Sequence, residues 1–142
     1  MTDAALVEKK LAQIETYVAD LRRLARPDDL AHDIREARFV EHTLQLAIQA
    51  ALDVASHIVS DERLGEPQTN RELFALLARR GHVPASLSGP LGNMAGFRNV
   101  LVHGYDAVDL AVVRDILAHH LDDLLAFASA IRAVISGSPP PA

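Results

Sequence analysis

Residues 40–58, VEHTLQLAIQAALDVASHI, decide the fold. Val40, Leu44, Ala47, Ala51, Val54 or Ala55, and Ile58 recur at steps of three and four, which lines one face of an α-helix. Leu46, Ile48 and Leu52 widen that face. A strand would need alternation at every second residue, and the β-branched residues do not alternate. The pattern predicts a helix from about 29 to 60, with Asp28 or Asp29 as its cap. So long and apolar a helix belongs at the centre of a bundle.

The same period extends outward in both directions. Upstream, Val7, Leu11, Ile14, Val18, Leu21 and Ala25 form one stripe of a helix that ends before Pro27. Downstream, Gly65 and Pro67 interrupt the pattern, Thr69-Asn70-Arg71-Glu72 reads as a capping box, and Gly81 stops the short helix that follows. Pro84, Gly89 and Pro90 mark a connection with room for a turn of helix before a fourth helix over about 91–103, which Gly104 ends. From Asp106 or Asp109, a fifth helix carries Val113, Ile116, Leu117, His120, Leu121, Leu124, Ala128, Ile131 and Ile135. Residues 136–142 are small, polar or proline and read as a frayed tail behind one domain, 1–135. The expectation is an all-α, five-helix antiparallel bundle. Its strongly apolar second and fifth helices leave surface for a second copy, so a symmetric homodimer is the default.

Composition narrows the chemistry. The 142 residues suffice for one domain, and the absence of cysteine excludes disulfides, thiolate metal or redox sites and a cysteine nucleophile. No apolar run reaches membrane-spanning length and the start lacks a secretory signal, which predicts a cytoplasmic protein with no membrane partner. A net charge of -5 argues against a general nucleic-acid coat but allows a local basic groove. There is no HExxH, no histidine pair at i, i+4, no phosphate-binding glycine loop and no GxSxG elbow, so neither a metal nor a cofactor is expected. Asp53 and His57, at i, i+4, can hold the imidazole in one tautomer, or form an ordinary exposed contact. Glu41, Gln45, Gln49 and Asp53 step by four and either line a groove or form a solvated face.

One segment stands apart, Gly96-Phe97-Arg98-Asn99-Val100-Leu101-Val102-His103-Gly104-Tyr105. Arg98 can clamp phosphate oxygens and stabilise charge developing on a phosphorane. His103 can exchange a proton near neutral pH, and Asn99, at i, i+4 from it, can orient the ring. Arg98 and His103 lie about 140° apart around a regular helix, so one unbroken helix does not aim both at one point. Either the last turn unwinds at Gly104, or the groups converge across a twofold interface. The residues alone equally allow a salt-bridging arginine and a histidine near a helix cap.

At these positions the sequence resembles the HEPN superfamily, with its Arg-x(4 to 6)-His motif and a polar residue after the Arg. More narrowly it resembles the HepT toxin branch, whose Arg-x4-His-x-Tyr pattern is met by Arg98, His103 and Tyr105. The likeness extends to Leu44–Asp53, Glu72–Leu77 and Met94–Asn99. It implies a metal-independent endoribonuclease toxin of a toxin–antitoxin pair. In such a toxin, two motifs face each other in a composite dimer cleft and cleave RNA, not DNA, through attack of the 2′-hydroxyl. Arg98 and His103 would be catalytic, and Asn99 and Asp53 supporting. Tyr105 would accept AMP from a nucleotidyltransferase antitoxin, with repulsion of RNA as the consequence. The alternative is a non-catalytic helical subunit that brings substrate or nucleotide to a nucleotidyltransferase; a plain structural bundle is a third.

Overall fold

The computed structural model describes residues 2–104 and 108–137, and within them the regular structure is helical. The order is α1 (Ala4–Leu24), a 3-10 turn (Pro27–Asp29), α2 (Ile34–Asp61), α3 (Asn70–Arg79), α4 (Ala85–His103), α5 (Leu110–His119) and α6 (Leu121–Ile135). Among the described residues six α-helices therefore stand where five are expected.

The predicted stripes are the core. Val7, Leu11, Ile14, Val18 and Leu21 of α1 are buried, as are Val40, Leu44, Ala47, Ala51, Val54, Ala55 and Ile58 of α2. α2 is the hub, packing against α1, α3, α4 and α6, while α1 also meets α6 and α3 lies along α4. Phe74 of α3 and Phe127 of α6 meet edge to face, with ring centroids 5.6 Å apart, and close the core between those helices. Arg132 of α6 ties the outside of α1 by donating to both Glu8 and Glu15, and its hydrogen bonds hold the Glu15 carboxyl below the usual carboxylate range. Among the described residues no helix is long and apolar enough to cross a membrane.

The departures from expectation have local causes. Asp28 and Asp29 do not cap α2, because Pro27 starts a 3-10 turn there; Asp33 is the cap, accepting from Arg35 N–H at 2.9 Å. The capping box at α3 is not made as predicted. Thr69 makes no side-chain cap, and Glu72 accepts from Gln68 N–H at 2.7 Å instead of from Thr69. Gly81 ends α3 with φ at 82°, a left-handed conformation that frees His82 N–H to reach Leu77 C=O. α4 starts at Ala85 and runs through Pro90. The proline ring removes the hydrogen bond that position would give to Ser86, but this lies in the second turn, and buried Leu87 and Leu91 hold the helix on both sides.

The expected fifth helix is two helices. His120, at φ -123° and ψ -1°, ends α5 and begins α6. Its ring spans the corner, with Nδ1 2.8 Å from Asp123 of α6 and Nε2 3.1 Å from Asp115 of α5. The hydrogen bond to Asp123, with the charges of Asp115 and Asp123, pushes His120 above the usual imidazole range. A raised folded-state value means that this clamp contributes fully at pH below the ordinary imidazole range. The contribution fades as pH climbs through the higher folded value.

Two outcomes follow for stability. Thermal unfolding of the wild type should lose up to about 1 kcal/mol of stability between mildly acidic and alkaline pH, a loss that His120→Ala removes; an identical pH profile for the variant would contradict the clamp. Arg63 closes α2 with a positive φ of 54°. Arg63→Gly should therefore raise stability by roughly 0.5–1 kcal/mol, read in urea unfolding, and a destabilised variant would contradict strain at that position.

Candidate active site

The site is built on the last two turns of α4. Buried Met94, Phe97 and Leu101 seat this stretch on the core, which leaves Arg98 half-buried and Asn99 and His103 exposed. The helix is continuous to His103, and Gly104 N–H closes it on Val100 C=O at 2.8 Å. The last turn therefore does not unwind, and Arg98 and His103 leave the backbone about 140° apart.

Arg98 forms no ion pair among the described residues. Its Nη1 donates to Asn99 Oδ1 at 3.3 Å, while its Nε is sealed from solvent and has no hydrogen-bond partner among the described residues. With no carboxylate among the described residues engaging them, its Nη groups are suited to take an external anion. Asn99 is expected to orient His103 and instead accepts from Arg98. Tyr105 lies outside the described residues.

Asp53 is not part of this cluster. Its Oδ2 accepts from Lys10 Nζ at 3.2 Å and its Oδ1 from Gln49 Nε2 at 2.8 Å, so it joins α2 to α1. His57, its expected partner, uses Nε2 to accept from Asp3 N–H at 3.0 Å. The pair is separated because both side chains find partners at the N-terminal end of the chain, which no local spacing reveals.

The stepped polar stripe of α2 is likewise divided. Gln49 and Asp53 serve α1, whereas Glu41 and Gln45 line a groove of about 430 Å³ with Arg38, His42 and Leu101 of α4. Burial pushes the Glu41 carboxyl above its usual range, against the pull of Arg38, whose Nη1 is 3.7 Å away. Arg38 and His42 were not singled out from the sequence, although positions 38, 41, 42 and 45 share a helix face and carried the signal. Among the described residues no three histidine, aspartate or glutamate side chains gather closely enough to hold a metal ion.

Comparison with known proteins gives the family. Residues 9–131 match the family described as ribonuclease HepT-like. An mRNA nuclease HepT of Shewanella oneidensis is 39% identical over 90 residues, covering 63% of this chain and 68% of that protein. A tRNA nuclease HepT of Aphanizomenon flos-aquae is 31% identical over 109 residues, 75% of this chain and 74% of that protein. A tri-AMPylated HEPN toxin of Shewanella oneidensis, solved in complex with an MNT antitoxin, superposes with a TM-score of 0.83 at 31% identity, over 94% of this chain and 99% of that one. With most of its length matched, the bundle that presents Arg98 and His103 belongs to the HepT-like ribonuclease family.

Proposed function

We propose that this protein is a metal-independent endoribonuclease toxin whose cleft forms between two copies of the chain. The observation that carries the reading is Arg98: a half-buried guanidinium with no ion pair among the described residues, held by Asn99 on the same short helix segment as an exposed His103. The relatives named mRNA and tRNA nuclease give the substrate class.

The chemistry is transesterification within the RNA strand. The 2′-oxygen forms a bond to the adjacent phosphorus while an imidazole takes its proton, and the bond from phosphorus to the 5′-oxygen breaks as that oxygen is protonated. The products are a 2′,3′-cyclic phosphate and a 5′-hydroxyl, with no net change in protons. Arg98 stabilises the negative charge on the pentacoordinate phosphorus. His103 serves these proton transfers as base or acid, and a dimer sets it opposite Arg98 of the other copy. The regular end of α4 favours this arrangement, because on one helix Arg98 and His103 diverge.

Control by a nucleotidyltransferase fits the same segment. The Shewanella oneidensis toxin is tri-AMPylated and complexed with an MNT antitoxin. Tyr105, two residues beyond His103, is the corresponding acceptor in this reading. Transfer of AMP from ATP to its hydroxyl releases pyrophosphate and places phosphate charge and bulk beside the imidazole, which repels the RNA backbone. Asp53, bound to Lys10 and Gln49, has a structural place between α1 and α2.

Two measurements test the reading. Arg98→Ala and His103→Ala should each retain the wild-type melting temperature and lose at least about a hundredfold in RNA cleavage and the associated growth arrest; wild-type cleavage by both variants would overturn it. Protein co-expressed with its partner nucleotidyltransferase should gain whole adenylyl units in intact mass and lose cleavage, and Tyr105→Phe should gain none. A modified Tyr105→Phe protein would place the acceptor elsewhere.

A further inference from the structure

Outside the motif, one cation is held in an unusual way. Arg71, in the first turn of α3, is exposed at its tip, but its stem is laid across α4 where two glycines leave room. A Cβ at Gly92 would stand 2.8 Å from Arg71 Cγ, and one at Gly96 would stand 3.5 Å from Arg71 Nη2. The guanidinium is anchored by Nη1 donating to Asn93 Oδ1 at 2.9 Å. Several other arginines are spent on carboxylates: Arg22 on Asp122, Arg80 on Glu62, and Arg132 on Glu8 and Glu15. Arg71 makes no ion pair among the described residues, so its charge is uncompensated in a chain of net charge -5.

The helix repeat places this charge. Gly92 to Asn99 and Gly96 to His103 are each seven residues, within about 20° of two full turns. The two positions that carry the Arg71 side chain therefore share the face of α4 that presents Asn99 and His103, roughly 10 Å further along the axis. The glycine notch and the Asn93 amide fix a side chain that would otherwise lose considerable rotamer freedom on binding.

We propose that Arg71 is a second phosphate contact of the RNA path, binding the backbone of single-stranded RNA a short stretch away from the linkage that Arg98 and His103 cleave. This rests on the ribonuclease reading and adds to it where affinity comes from. An acidic protein holds RNA through a few placed guanidinium groups. Arg71 touches backbone, so it is sequence-independent and acts on binding more than on the chemical step.

The test is binding of a single-stranded RNA oligomer to the uncleaving His103→Ala protein over a range of salt, beside steady-state cleavage by the otherwise wild-type chain. Arg71→Gln should weaken binding about tenfold and lower the salt slope by about 0.7. In cleavage it should raise KM with kcat largely kept. Arg71→Lys should keep most of the slope. Gly92→Ala, which displaces the stem without touching the charge, should weaken binding in the same direction, and Arg79→Ala on the same helix should bind as wild type. Unchanged affinity and slope for Arg71→Gln, or a lower melting temperature with the slope intact, overturns the proposal. If Arg98→Ala still abolishes cleavage in that case, the ribonuclease reading stands without it. Wild-type cleavage by Arg98→Ala and His103→Ala instead removes both.

Discussion

The regularity of α4 up to its last residue is the constraint on which the rest depends. A hydrogen-bonded helix fixes direction as well as position, and Gly104 N–H on Val100 C=O keeps it regular to His103. Arg98 and His103 thereby become divergent groups on one rigid element. Catalytic groups must stand within hydrogen-bonding reach of the same reacting atoms, so a second copy of the helix supplies in the proposed dimer what one copy does not.

That rigidity comes from the core beneath. α2 is buried along most of one side and carries α4 on the same hydrophobic cluster as α1 and α6, with Phe74 and Phe127 closing α3 against α6. The polar groups that face outward have separate tasks. Asp53, Gln49 and Lys10 bind α1 to α2, His120 holds the corner between α5 and α6, and Arg98 is left short of acceptors. Leaving a guanidinium unsatisfied costs stability, and proteins retain such groups where a ligand completes them. In the proposed function, a chain of net charge -5 gains its RNA affinity from groups of this kind and from Arg71, because its general surface repels phosphate.

Much of this is legible in the sequence. Period 3.6 is written into the apolar positions of α1 and α2, and burial follows it nearly residue for residue because one stripe per helix must face the core. Arg98, Asn99 and His103 stood out as polar groups in an apolar helix end. What stayed hidden lacks a local signature. The break at His120 inserts no residue and no glycine or proline, so the three-four pattern passes through it unchanged. Pro90 reads as a stop, yet near a helix start it removes a single hydrogen bond. The true partners of Asp53 and His57 lie 43 and 54 residues away in α1 and its cap. Arg71 is visible only once the glycines of α4 are seen beneath it.

The most direct test of the convergence of Arg98 and His103 across two copies is a mixed-dimer experiment. Arg98→Ala and His103→Ala proteins, each inactive alone, are mixed under conditions of subunit exchange, alongside wild type mixed with an excess of the doubly substituted chain. The account predicts that RNA cleavage reappears in the first mixture, where an intact arginine and an intact histidine come from different protomers. It also predicts that cleavage falls away in the second as mixed dimers replace wild-type ones. Silence in the first mixture, with activity retained in proportion to wild-type chains in the second, would contradict it and place the whole reaction within one protomer.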